Sequence, residues 1–349
     1  MFVYAYYFVG LSALICAMPM LYCGAKSPWP LLSRVYIAYS IGFLLFVAAL
    51  RTSGGDHLMY VAAYHGDYPI PDPGYRVLFF ALSSTGLPYE GFLVLNALLT
   101  ILVVRRLSKT FSVSFELLLL VYFLHFFIVR DLSQVRIGVA ISLATLGLTS
   151  ERRGLRWFYY LIASSIHITS LLLIILYEAA NLISQARKRN GYIFTLIVVV
   201  LLGVMRLILP ALGGFDARVE AYTSAEEQGA PVSDASVAAF HMLILLYAYL
   251  QRKRIFDGAP ALLAIALLEL FGIVIFWAFH DFQIIAFRLS GLVWSLYPVL
   301  FVAALEHHRL KIAGYSVSNI SRPLVLLSIG LILISRYTTH DVLSEIGFG

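Results

Sequence analysis

Charge and cysteine are what this chain has least of. Of 349 residues, 13% are charged, and the cysteines are two, Cys16 and Cys23. Two thiols in or beside one apolar run exclude a disulfide framework and a cysteine metal cluster. The first twenty residues have no basic segment, so they read as a retained helix and not as a cleaved signal peptide. The sequence contains no HExxH helix, P-loop, nucleophile elbow or GxGxxG turn, which leaves soluble nucleotide chemistry without support. Internal repeats and low-complexity tracts are missing too, and the whole of residues 1–349 reads as one integral membrane domain.

What fills the space is apolar. Hydrophobic residues make up 61% of the chain and the mean hydropathy is +0.87, which marks a polytopic membrane protein of the all-α class. The 22 tyrosines and 24 phenylalanines suit many helix ends meeting headgroups. The net charge of +6 lies in short clusters between apolar runs, a topology signal and not a nucleic-acid surface.

Apolar runs fall at about 2–23, 31–50, 88–105, 112–129, 192–211, 235–250, 259–279, 289–305 and 322–337, with another following Arg136 and a short surface helix at about 75–86. Basic clusters at Arg105-Arg106, Arg152–Arg156, Arg187–Arg189, Arg252–Arg254 and Arg309–Lys311 mark the cytoplasmic turns. External loops then fall at about 51–74, 130–136, 211–234 and 280–288. The run 157–183 fits this alternation only as a short pair broken near Ser164–Ser170. About twelve residues of helix rise only ~18 Å against a ~30 Å hydrocarbon layer, so such a pair needs a cavity open to the outside. With that pair, about twelve passes result.

The stretch from Arg130 to Gly147 organises the rest. An α-helix turns ~100° per residue, so Arg136, Ala140, Ala144 and Gly147 share one face, charged at its outer end and small below. Such a face accepts either a neighbouring helix or an acyl chain. Arg51, Arg76, Arg130, Arg136 and Arg288 all fall on or near the external side, and a guanidinium offers a planar fork that fits phosphate oxygens. Several converging on one cavity would hold a diphosphate. His167 lies in a polar stretch inside an apolar run, and a neutral imidazole there accepts a proton from a hydroxyl. Asp56 beside His57, and His280 beside Asp281, are alternative proton acceptors. His125, His241 and Glu269 read as packing or cavity groups.

The loop with Asp56 and Tyr60, the Pro73-Gly-Tyr75 turn, the helix start Gln134-Val-Arg136-Ile-Gly-Val-Ala140, the Phe158–Ser170 run with His167, and Arg288 together resemble the EpsG/Wzy family of membrane polysaccharide polymerases. An Arg-x10-Gly spacing described for some O-antigen polymerases is matched by Arg136 and Gly147. The resemblance implies a GT-C-like, Wzy-type enzyme of the bacterial inner membrane, working without metal or cofactor. It would join oligosaccharide repeat units carried on undecaprenyl diphosphate at the periplasmic or external face, within the bilayer and beside a chain-length-regulator protein. In this reading Arg136 and Arg288 bind the donor diphosphate, and His167 or Asp56 serves as base. Arg51, Arg76, Arg130, Gln134, Tyr60, His280 and Asp281 are further substrate-binding candidates. The competing readings are an O-antigen ligase or other lipid-linked transferase, and a polysaccharide transporter or flippase.

Overall fold

The computed structural model describes residues 30–49, 57–122, 134–186, 196, 199–200, 204, 235–280, 283–306, 311–312 and 315–316. The chain divides into two compact units, Met1–Ser170 with His308–Gly349, and Leu171–His307. Among the described residues, three helices are long and apolar enough to cross a membrane: Tyr89–Phe111, Pro260–Ala278 and Arg288–Glu306. The expected runs at about 2–23, 192–211 and 322–337 lie mostly or wholly outside the described residues, as does the loop 211–234.

The first unit contains α1 (Pro30–Ala49), α2 (His57–His65), α3 (Pro73–Ser83), α4 (Tyr89–Phe111), α5 (Phe115–Tyr122), α6 (Val135–Leu148) and α7 (Arg153–Ile166). Helix α4 packs against α1 and α6, and α6 packs most extensively against α7. A minimal antiparallel ladder pairs Lys311–Ile312 with Tyr315–Ser316. Two expectations change here. Part of the stretch 51–74, expected as an external loop, is helix α2, whose buried His57, Tyr60 and Tyr64 fix it to the core. Arg105, Arg106 and Lys109 belong to the last turns of α4 instead of a turn beyond it, since Lys and Arg are good helix formers and suit a helix C-terminus. The helix stops where Ser112 takes a left-handed φ of 53°.

The small face of α6 meets a helix. Ala140, Ala144 and Gly147 are buried, and a Cβ at Gly147 would fall 2.6 Å from the Tyr160 ring carbons of α7. Of the two occupants this face allowed, it takes a neighbouring helix and is closed to an acyl chain. Helix α7 keeps Tyr160, Ala163 and Ile166 inward and exposes Leu155, Trp157, Phe158 and Leu161, a surface suited to lipid.

The α6–α7 turn is tied by two arginines. Arg106 donates from Nε to Thr149 Oγ1 and from Nη2 to Thr149 O, each at 2.8 Å. Arg156 donates to Ser150 O at 3.2 and 3.0 Å. These bonds satisfy carbonyls that the end of α6 leaves over.

The second unit contains most of α8 (Ser170–Gln185), then α9 (Ala235–Leu250), α10 (Arg252–Ile255), α11 (Pro260–Ala278), α12 (Gln283–Val293), a 3-10 turn at Trp294–Leu296, and α13 (Tyr297–Glu306). Helix α11 packs on α9, α12 and α13. Its Gly272 leaves the slot into which the Trp294 indole fits, and a Cβ there would collide with that ring. His241 stacks on Trp294 at 3.7 Å and pairs through Nδ1 with Glu269 Oε1 at 2.5 Å. His241 and Glu269 therefore form one buried constellation, where the sequence offered two unrelated packing groups. They lie 28 positions apart on different helices, and nothing local in the sequence joins them.

Candidate functional site

Arg136 sits in the first turn of α6, where the helix dipole is positive and a cation is disfavoured by roughly 0.3–1 kcal/mol. That position requires a counter-anion, and Asp72 supplies it: its Oδ2 accepts from Arg136 Nη1 at 2.5 Å. Asp72 occupies the N-cap of α3, with φ −76° and ψ 115°, yet makes no side-chain cap bond. An aspartate at this position normally bonds its own helix, a contact worth about 1 kcal/mol. Here the carboxylate is turned across to Arg136, while Pro73 at N1 starts the helix in its place.

His167 is the residue after α7, with φ −155° and ψ 113°. Its N–H donates to Ala163 O at 2.9 Å, and its own carbonyl accepts from Ser170 N at 3.0 Å. The helix thus breaks over 167–169, inside the stretch where the sequence places a break, before α8 begins. His167 Nδ1 lies 3.8 Å from Asp72 Oδ1, so one carboxylate faces a guanidinium with one oxygen and an imidazole with the other. The side chains of Arg136, Asp72 and His167 are 20%, 13% and 18% exposed, shielded but within reach of a ligand.

Tyr60 of α2 completes the group. Its hydroxyl accepts from Arg136 Nε at 3.2 Å, and its ring lies 5.7 Å from the guanidinium carbon. Behind it, Tyr60 and Tyr75 meet edge to face, and Tyr75, Phe79, Tyr64, Tyr89 and Phe92 continue the aromatic packing that fixes α2 and α3 on α4. Gly74 lets the start of α3 approach α7, because a Cβ there would fall 2.7 Å from the Ser165 carbonyl carbon. Residues 60, 72, 136 and 167 thereby reach one place from four elements.

A guanidinium has five N–H donors. Among the described residues Arg136 gives its Nε–H to Tyr60 and an Nη1–H to Asp72, and a guanidinium has further N–H donors with which to meet an oxyanion. The arrangement combines a cation for a phosphate with an imidazole for a proton, within one carboxylate's reach of each other.

Arg136, His167 and Tyr60 are the expected residues that the structure brings together. Gln134 directly precedes α6, two positions from Arg136, and is half-buried. Arg76 is exposed on α3. Arg288 and His280 belong to the second unit: Arg288 is exposed on α12, inside a helix that begins at Gln283 and not in the loop expected at 280–288. His280 is exposed, with Nδ1 3.1 Å from Trp277 O. Arg51, Asp56, Arg130 and Asp281 lie outside the described residues, as does His125. Asp72 is the member sequence reasoning missed, since an aspartate between two prolines reads as turn chemistry. The available signal was Arg136 itself, a cation at a helix start that calls for a carboxylate elsewhere. Among the described residues, no three His, Cys, Asp or Glu side chains gather as a metal site.

A model of the EpsG family matches residues 34–342. No curated protein and no solved structure gives a significant match to the chain.

Proposed function

Because the chain belongs to the EpsG family of Wzy-like polysaccharide polymerases, we propose that it polymerises oligosaccharide repeat units carried on undecaprenyl diphosphate. The growing glycan is the donor, and the non-reducing-end hydroxyl of an incoming lipid-linked unit is the acceptor. The observation that carries this reading is the meeting of Arg136 and His167 at Asp72.

Orientation follows from charge. Arg105, Arg106, Lys109, Arg152, Arg153 and Arg156 crowd the end of the α6–α7 pair opposite to the site, and such clusters favour the cytoplasm. The site then faces the periplasm or exterior of an inner membrane. Helices α6 and α7 have 14 residues each and rise roughly 21 Å, against a hydrocarbon layer of ~30 Å. Arg136 and His167 therefore stop about 9 Å short of the outer boundary. A diphosphate whose polyprenyl tail stays in the outer leaflet reaches that depth without leaving the membrane.

In the reaction, the acceptor oxygen forms a bond to the anomeric carbon while the bond from that carbon to the diphosphate oxygen breaks. The electron pair leaves with the diphosphate, whose charge Arg136 stabilises. The hydroxyl proton passes to His167 Nε2 and later to solvent. Diphosphate is a good leaving group, and a fixed guanidinium supplies charge that a divalent cation supplies elsewhere, so the reading includes no metal.

The test is reconstitution. Purified protein in nanodiscs, given an undecaprenyl-diphosphate-linked repeat unit and EDTA, should yield a lipid-linked ladder spaced by one repeat. A ladder that appears only with Mg2+ or Mn2+ would refute the metal-free site, and transfer only to a different lipid acceptor would place the chain with the ligases.

A further inference from the structure

We propose that Asp72 is a latch shared by Arg136 and His167, released by the donor diphosphate, so that the base is set only when the donor is in place. The inference rests on the polymerase reading above.

The carboxylate is divided between its neighbours. Oδ2 holds Arg136 at 2.5 Å, while Oδ1 lies 3.8 Å from His167 Nδ1, roughly 0.8 Å beyond hydrogen-bond length. Its backbone has little freedom to move. Pro71 and Pro73 flank it, each with a fixed φ, and the residue before a proline is confined to extended backbone, where Asp72 sits. Gly74, two positions on, is pressed against Ser165, two positions before His167. The imidazole and the carboxylate are thus carried on segments pinned to each other. What the backbone leaves is rotation of the Asp72 side chain, and closing the gap of roughly 0.8 Å to a hydrogen bond with Nδ1 needs no more than that.

The diphosphate supplies the force for that rotation. A phosphate pair offers the guanidinium charged, bidentate acceptors, stronger than one carboxylate oxygen. When Arg136 turns its fork to the diphosphate, Asp72 loses its partner and gains one in the Nδ1–H of His167. That bond selects the tautomer whose Nε2 carries the lone pair, and it favours the imidazolium formed when the acceptor proton arrives. Asp72 touches neither sugar nor phosphate, so it is a positioning residue. Its consequence is order: the Asp72–His167 bond forms, and the acceptor hydroxyl is activated, only beside a loaded donor.

The experiment uses full-length protein in nanodiscs, labelled with 15N-histidine, with undecaprenyl diphosphate as probe. The chain has nine histidines, and the His167→Gln variant identifies the resonances of residue 167. Adding the probe should convert His167 to the tautomer protonated at Nδ1. In Asp72→Asn the probe should bind about threefold to tenfold tighter, because no ion pair has to be broken first, yet the tautomer should not change. Ladder formation by that variant should fall about 100-fold in kcat. Asp72→Glu, which keeps the carboxylate, should restore part of the turnover and part of the tautomer response, and it serves as the reporter if Asp72→Asn does not fold. A probe-induced tautomer change in Asp72→Asn as large as in wild type would overturn the latch. So would loss of probe binding in step with loss of turnover, which would leave Asp72 as a prop for Arg136. A tautomer response without any ladder from wild-type protein would instead defeat the polymerase reading and leave the latch standing.

Discussion

Gly74 and Ser165 are in backbone contact: a Cβ on Gly74 would lie 2.7 Å from the Ser165 carbonyl carbon. This contact sets how close Asp72, at the start of α3, comes to His167, at the end of α7. Gly74→Ala must therefore push α3 off α7. Overpacking of this kind costs about 1–3 kcal/mol, and here it opens the 3.8 Å gap between Asp72 and His167. Polymerisation should fall at least tenfold in a variant that still inserts and purifies. Unchanged ladder formation by Gly74→Ala would show that the α3–α7 contact does not position the site.

His167→Gln keeps a polar side chain but has no group that takes up a proton near neutral pH. Donor binding, followed with undecaprenyl diphosphate, should stay within about threefold of wild type, whereas turnover should drop by roughly 10²–10⁴. A Gln variant with wild-type turnover would remove His167 as the base.

The buried pair of the second unit gives a stability prediction. His241 and Glu269 are each 1% exposed, so removing one partner leaves the other without its nearest acceptor or donor. His241→Leu and Glu269→Leu should each destabilise the protein by about 3 kcal/mol or more, and the double variant by clearly less than the sum. Denaturation in detergent, arranged as a double-mutant cycle, measures this. Additive losses would mean that the 2.5 Å contact carries no coupling.

Orientation can be read with two cysteines. With Cys16 and Cys23 replaced by Ala, Arg76→Cys on α3 should react with a membrane-impermeant thiol reagent in intact cells, and Arg153→Cys at the start of α7 should not. The reverse pattern would turn the site to the cytoplasm and remove access to an external acceptor.

Much of this organisation is legible in the sequence because it is written in local signals. Hydropathy places Pro260–Ala278 and the span ending at Glu306 to within about two residues, and it finds the start of Tyr89–Phe111 but stops short of that helix's basic end. The polar stretch at Ser164–Ser170 marks the helix break, and Arg136 and His167 stand out because a membrane-embedded ionisable group is costly. What escapes is pairing at long range. Asp72 meets Arg136 across 64 positions, and His241 meets Glu269 across 28; neither distance has a sequence period. The small face of α6 shows the same limit. Its pattern admits a helix or an acyl chain, and only the Tyr160 ring against Gly147 decides for the helix.

The measurement closest to the central claim is the reconstituted ladder run side by side for wild type, Arg136→Lys and Arg136→Ala. Arg136 presents a planar fork whose Nε and Nη1 are bonded to Tyr60 and Asp72, and an ammonium cannot reproduce that geometry. The account predicts a full ladder for wild type, no ladder for Arg136→Ala, and at most about one-hundredth of wild-type rate for Arg136→Lys, all three proteins being equally well inserted. A ladder from Arg136→Ala at wild-type rate would contradict it, and would move polymerisation away from the place where Tyr60, Asp72, Arg136 and His167 meet.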